Sequence, residues 1–335
     1  MENTCEIQKE ENLPEIVDVE VNLDNELKYY FRGQKDGFVQ VGPKKWLYPM
    51  KYKKLAQKYI DFEVRPDDVW ISGIPRSGTT VTQELAWLLK NNLDFEGAKK
   101  DISYRVPFFE MSMVFNDKAS RIRLLSHPKD GDILKKTDMC LPYLNSLKEN
   151  RLIKTHLPLE LLPPDLLEKG CKVIYVCRHP KDVAVSYFFL QKNSWNVDFQ
   201  GDFAKYWNYF RNGNCMFGPY FEHVKQAFEK KELKNVLFVF YEDLRKDLTA
   251  FIKKVAEFLE RPITESEVNS LKEHLDFNNF QKNSALEKLN EGSKNKFVRK
   301  GKVGGWRDHF TEEMAKEADE WIEENTKKIG FEYPS

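Results

Sequence analysis

Four short apolar runs interrupt an otherwise polar chain: Val69-Trp70-Ile71-Ser72, Arg151 to His156, Lys172 to Cys177 and Val236 to Tyr241. The last two are continuous rather than alternating, as expected of strands buried on both faces of a parallel sheet. Between the runs, apolar positions fall at helical spacing. Leu248, Phe251, Ile252, Val255, Phe258 and Leu259 form one such set, ended by Arg261-Pro262, and Val81 to Lys90 reads as another helix. Strands alternating with helices predict an α/β fold, a single domain whose parallel sheet is flanked by helices. Residues 1–25 read as a polar, acidic lead-in and 26–335 as the domain. An aromatic-rich run, Tyr29 to Tyr52, precedes the first strand, and Lys282 to Gly305 reads as a long functional loop.

Composition narrows the function. The 335 residues are 41% hydrophobic, enough for one large core. Aromatics reach 13%, which suits core packing and also an apolar ligand pocket. The 53 basic and 53 acidic side chains cancel, which argues against nucleic acid or an anionic membrane as partner. The five cysteines are odd in number and lack metal-ligand spacing, so a reducing compartment and no metal are expected. No secretory leader or membrane-spanning run is legible, so a cytoplasmic location is expected.

Candidate chemistry sits at the strand ends. The first strand runs into Gly73-Ile74-Pro75-Arg76-Ser77-Gly78-Thr79-Thr80 and then a helix. This is the outline of a phosphate-binding loop, in which backbone N–H groups and a helix N-terminus hold an anion. Thr79 stands where a nucleotide-hydrolysing loop carries lysine, and Arg76 is the only cation in the loop. In the second strand Lys154 and His156, two residues apart, share a face. They fall at the carboxyl end, where open α/β sheets bind ligands. There a histidine can accept a proton and a lysine can stabilise a leaving anion. The third strand ends at Arg178, a cation where an ATPase needs a magnesium-holding carboxylate. Ser186 follows about two helical turns later, and Arg299-Lys300-Gly301 brings further cations to glycines in the long loop.

In this order the motifs resemble those of the cytosolic sulfotransferase family. Ile74 to Thr80 is similar to its Y-P-K-S-G-T-T loop, Lys154-Thr155-His156 to its K-x-H strand, and Cys177 to Ser186 to its C-R-N-x-K-D-x-x-V-S stretch. Tyr241-Glu242-Asp243 is similar to its Y-E-D segment, and Arg299 to Trp306 to its R-K-G-x-x-G-D-W segment. The resemblance runs from Gly37 to Phe331. It implies 3′-phosphoadenosine 5′-phosphosulfate as donor, 3′,5′-diphosphoadenosine as product, and sulfuryl transfer to a hydroxyl or amine of a small acceptor. It also implies His156 as base, with Lys154 and Arg76 stabilising charge. Ser77, Gly78, Thr79 and Thr80 would hold the 5′-phosphate, with Arg76 beside them. Arg178, Ser186, Arg299, Lys300 and Gly301 would hold the 3′-phosphate, and Tyr241 and Phe277 would complete the nucleotide site. Phe108 and Phe109, with His156, would meet an aromatic or apolar acceptor such as a phenol, steroid or retinoid.

Several positions depart from the family pattern. Arg76 replaces the usual lysine, as in insect members of the family. Val81 replaces a tryptophan that stacks on adenine, His179 replaces an asparagine, and Leu275-Asp276 interrupt an H-T-S-F segment of which His274 and Phe277 remain. The dimer motif is altered over Arg307, Thr311-Glu312 and Lys316, so monomer and homodimer both stay open. Two other readings are a non-catalytic binder of nucleotide or hydrophobic ligand, and a nucleotide kinase, against which the missing loop lysine speaks.

Overall fold

The computed structural model describes residues 13–115, 140–148, 151–282 and 301–334. Two sheets organise it. A small antiparallel sheet joins β1 (Ile16–Asp18), β2 (Phe38–Val41) and β3 (Trp46–Pro49) in that order. The main sheet holds β4 (Val69–Ser72), β5 (Leu152–Thr155), β6 (Lys172–Cys177) and β7 (Val236–Phe240), all parallel, in the order β5-β4-β6-β7.

The four strands expected from the apolar runs are the four strands of the main sheet. Their limits differ by a residue at four places, with Arg151 and His156 both outside β5. Arg151 precedes β5, and its guanidinium grips the buried Asp68 carboxylate at 2.7 and 2.6 Å, before β4 begins. Arg178 stays outside β6, and Tyr241 opens a helix rather than ending β7.

Burial on both faces explains why the runs of β6 and β7 are continuous. Trp70, Ile153, Val173 and Tyr175 face one core, which the small sheet completes. Val69, Ile71, Leu152, Ile174 and Val176 face the other. That second core is covered by α3 (Thr79–Lys90), α8 (Leu248–Phe258) and α9 (Glu265–Leu275). The first is covered by α1 (Val21–Tyr30), α2 (Tyr52–Ile60), α4 (Pro180–Asn193), α5 (Phe203–Arg211), α6 (Tyr220–Phe228) and α11 (Glu312–Ile329). Two shorter helices, α7 (Tyr241–Lys246) and α10 (Phe277–Gln281), flank α8 and α9 in sequence.

The small sheet is absent from the sequence reading. Its strands are three or four residues long, and Trp46 to Pro49 is buried at every position, so no alternation marks it. β1 and the first turn of α1 also lie within the segment read as a lead-in.

Topology places the site. The chain passes from β4 outward to β5, then returns to the other side of β4 for β6. Parallel α/β sheets bind ligands at the carboxyl ends of strands where the order reverses in this way. Ser72 pairs with both Thr155 and Tyr175, so β4 and β5 end level and β6 runs two residues further.

Candidate active site

The phosphate loop leaves β4 at Gly73. A Cβ there would stand 2.4 Å from the carbonyl oxygen of Val176, so only glycine lets the loop lie this close to β6. Gly78 caps α3 at φ 102, and a Cβ there would strike the Tyr241 ring at 2.5 Å. The first bond of α3 runs from Thr82 N–H to the Gly78 carbonyl at 3.3 Å. The N–H groups of Gly78, Thr79, Thr80 and Val81 therefore have no partner within the helix, which makes this end an anion site. Ser77 is buried, and its N–H donates to the Ile74 carbonyl at 3.2 Å. Arg76, at φ 77, donates from Nε to the Ser186 hydroxyl oxygen at 2.9 Å.

The β5 edge carries Lys154 and, just beyond its end, His156. The segment before Glu110 pairs with it: Lys154 N–H donates to Pro107 O at 2.9 Å, and Phe109 N–H donates to Lys154 O at 2.8 Å. Lys154 Nζ lies 4.7 Å from the centre of the Phe108 ring. Burial pushes its ammonium down to about 8; Glu110 opposes that shift and Arg76 adds to it.

His156 stands one residue beyond β5 and is almost wholly buried. Its Nδ1 is bonded to the Gly73 carbonyl oxygen. A carbonyl only accepts, so Nδ1 carries the proton and Nε2 is left as a bare acceptor. Burial, aided by the Lys154 charge, holds the imidazole well below its ordinary pKa and so neutral. Phe108 and Phe217 flank the ring at 5.3 and 5.5 Å.

Two further residues hold this strand end, and neither was read from the sequence. Glu110 accepts the main-chain N–H of His156 and the Thr155 hydroxyl. Its signal was a lone carboxylate in the apolar run Val106 to Met113. His223, from α6, donates from Nε2 to the His156 carbonyl at 3.0 Å, and its Nδ1 accepts from the Tyr175 hydroxyl at 2.8 Å.

Arg178 and α4 form the other wall. Arg178 donates to the carbonyls of Arg76 at 3.0 Å and Lys302 at 3.1 Å, and its guanidinium lies 4.4 Å from the Tyr241 ring centre. Its buried Nε has no partner among the described residues. Asp182, in the first turn of α4, accepts the N–H groups of Gly304 at 2.7 Å and Trp306 at 3.0 Å. Gly301 sits at φ 56 where a Cβ would meet the Phe277 ring at 2.2 Å, and its carbonyl accepts the Tyr241 hydroxyl at 3.1 Å. Arg299 and Lys300 lie outside the described residues.

One cavity of about 330 Å³ joins these groups. Arg76, Gly78, Thr79, Thr80, Lys154, His156, Arg178, Ser186, Tyr241 and Gly301 all reach it. Val81 and Phe277 reach it as well, whereas His274 turns aside to the buried Glu84 carboxylate at 2.8 Å. Phe108 lines the cavity with Met111, Val114, Phe115, Trp195 and Met216. Phe109 does not: it is wholly buried against Tyr59, Phe62 and Trp70. The free N–H groups of α3, the unpaired Arg178 Nε and the cations around them fit a nucleotide carrying phosphate at two positions.

The family model for the sulfotransferase domain matches residues 66–330. Luciferin sulfotransferase of Photinus pyralis is 33% identical over 308 residues, covering 88% of this chain and 81% of its own length. Sulfotransferase 1E1 of Homo sapiens is 32% identical, covering 85% of this chain and 93% of its own. The crystal structure of retinol dehydratase in complex with retinol and PAP superposes with a TM-score of 0.89 at 35% identity, covering 96% of this chain and all of that one. This chain belongs to the sulfotransferase family. It is an α/β enzyme that takes its sulfuryl group from 3′-phosphoadenosine 5′-phosphosulfate.

Proposed function

We propose that this enzyme sulfates a hydroxyl on an apolar, ring-containing acceptor, with His156 as the base. The observation that carries the reading is the shared cavity: the phosphate loop, Lys154 and His156 open onto the same space as Phe108, Val114, Phe115 and Trp195. Retinol dehydratase complexes hold retinol or androsterone together with PAP, and both are apolar, ring-containing alcohols of the kind such a wall would take.

The donor brings a sulfuryl group already activated by its phosphate. His156 takes the acceptor hydroxyl proton at Nε2, while Gly73 keeps Nδ1 protonated. As the acceptor oxygen bonds to sulfur, the bond from sulfur to the bridging phosphate oxygen breaks, and its electron pair stays on that phosphate. Lys154 and Arg76 neutralise the charge that gathers there. The N–H groups of Gly78 to Thr80 hold the 5′-phosphate. Arg178, Ser186 and Gly301 hold the 3′-phosphate, with Arg299 and Lys300 assigned there by the sequence motif. Val81 and Phe277 flank the adenine.

The test is transfer from labelled donor to a panel of phenols, hydroxysteroids and retinols, set against sugars and small polar alcohols. The reading expects product with the ring-containing apolar acceptors. Preferred transfer to sugars or small polar alcohols would refute it.

A further inference from the structure

Glu110 stands behind the catalytic strand, wholly excluded from solvent. A carboxylate in such a place is costly unless its oxygens are bonded. Both are committed to the residues around the base. One accepts the His156 N–H, and the other accepts the Thr155 hydroxyl at 2.9 Å. The Thr155 oxygen in turn accepts the Leu157 N–H at 3.0 Å. Three consecutive residues, with His156 at their centre, are thus tied to one carboxylate. Phe108, two residues before Glu110, packs on both the His156 ring and the Lys154 ammonium.

Both oxygens act as acceptors, so an amide, with one acceptor oxygen, would keep the His156 N–H and lose the Thr155 hydroxyl. The hydrogen bonds from His156 and Thr155 favour the carboxylate first, and the Lys154 charge adds to them. The titratable neighbours are Tyr48 on β3, Tyr52 and Tyr59 on α2, Cys140, Lys154 and His156, with Arg76 beyond Lys154. Burial drives the tyrosines and Cys140 upward, so they stay neutral, and it keeps His156 uncharged. Lys154 is the neighbour left to answer the carboxylate.

We propose that Glu110 is a positioning residue for sulfuryl transfer, fixing the main chain that carries His156 and supplying the counter-charge behind Lys154. The proposal rests on the reading of His156 and Lys154 as acting groups. Burial pushes Glu110 up to about 7 and Lys154 down to about 8, so carboxylate and ammonium coexist chiefly between those values. Without the carboxylate, Lys154 loses the neighbour that raises it and gives up its proton at lower pH.

The experiment records kcat/KM for the donor against pH, using an acceptor that the wild type sulfates. The variants are Glu110→Gln, Glu110→Ala, His156→Ala and the Glu110→Ala/His156→Ala double. Calorimetric affinity for 3′,5′-diphosphoadenosine reports the nucleotide site separately. Glu110→Gln keeps an oxygen for the His156 N–H. It should retain activity within about tenfold near pH 7, with its alkaline limb moved down by about one unit. Glu110→Ala should lose roughly 10²-fold in kcat, the double variant should be no slower than His156→Ala, and nucleotide affinity should stay within about threefold. The proposal is overturned if the Gln profile overlays the wild type, if the two Ala losses multiply, or if nucleotide affinity falls in step with turnover. Should Glu110→Ala fail to fold, the Gln profile decides alone. Wild-type turnover in His156→Ala would instead sink the reading of His156 as base, and this proposal with it.

Discussion

His156 donates from Nδ1 to the main-chain carbonyl of Gly73, so the proposed base and the loop after β4 are held as one unit. The bond does two things at once. It fixes the tautomer that leaves Nε2 bare, and it sets the ring against the loop that holds the donor. The Gly73 carbonyl can take this position because Gly73 packs on the Val176 carbonyl, where a side chain would not fit. Sheet order makes the contact possible, since β4 and β5 are adjacent and end level.

Gly78→Ala tests the close packing of the loop. The added methyl would stand 2.5 Å from the Tyr241 ring, at a φ of 102 that alanine rarely adopts. The strain should cost about 1–3 kcal/mol of stability. Displacement of the α3 N–H groups should also weaken nucleotide binding. Thermal melts with and without 3′,5′-diphosphoadenosine check both effects; a variant with wild-type melting and a wild-type nucleotide shift would contradict the packing argument.

Asp182→Ala tests how the Gly301–Trp306 segment is held. Asp182 accepts two main-chain N–H groups of that segment, at Gly304 and Trp306. Losing a charged acceptor is worth about 1.5–3 kcal/mol. Affinity for 3′,5′-diphosphoadenosine should fall by about that amount, and affinity for adenosine 5′-phosphate by much less. Calorimetry on the two nucleotides gives the comparison; equal losses would mean that Asp182 does not act through the 3′-phosphate wall.

The stability of the enzyme should depend on Glu110 in a defined pH window. Its folded pKa is raised to about 7 by burial, against an ordinary carboxylate value of 4.5. Between those values the folded chain keeps a proton that the unfolded chain releases, so stability falls as pH rises through the window. The size of the shift corresponds to roughly 3 kcal/mol. Denaturant melts from pH 4.5 to 8 should show Glu110→Gln gaining on the wild type across that range. A constant difference would show that Glu110 titrates at an ordinary value.

What the sequence made legible is contiguous. The phosphate loop, Lys154-Thr155-His156 and Arg178 each lie where a buried strand stops, and a strand of apolar residues announces its own end. Tyr241 was legible for the same reason, although it begins a helix. Contacts that cross the fold left weaker marks. Glu110 lies 46 residues from the N–H that it accepts, and the run around it points to its phenylalanines rather than to its carboxylate. Phe108 and Phe109 look alike on paper, and only the pairing with β5 decides that one faces the cavity and the other the core. The small sheet escaped because strands of three and four residues show too few positions for a period.

The most direct test of the account is transfer by the His156→Ala variant. Wild type and variant are given labelled 3′-phosphoadenosine 5′-phosphosulfate and the best acceptor of the panel, and sulfated product is followed with time. The account predicts a loss of about 10²- to 10⁴-fold in turnover. Affinity for 3′,5′-diphosphoadenosine should remain within about threefold of the wild type. Near-normal turnover by the variant would contradict the assignment of His156 as the base.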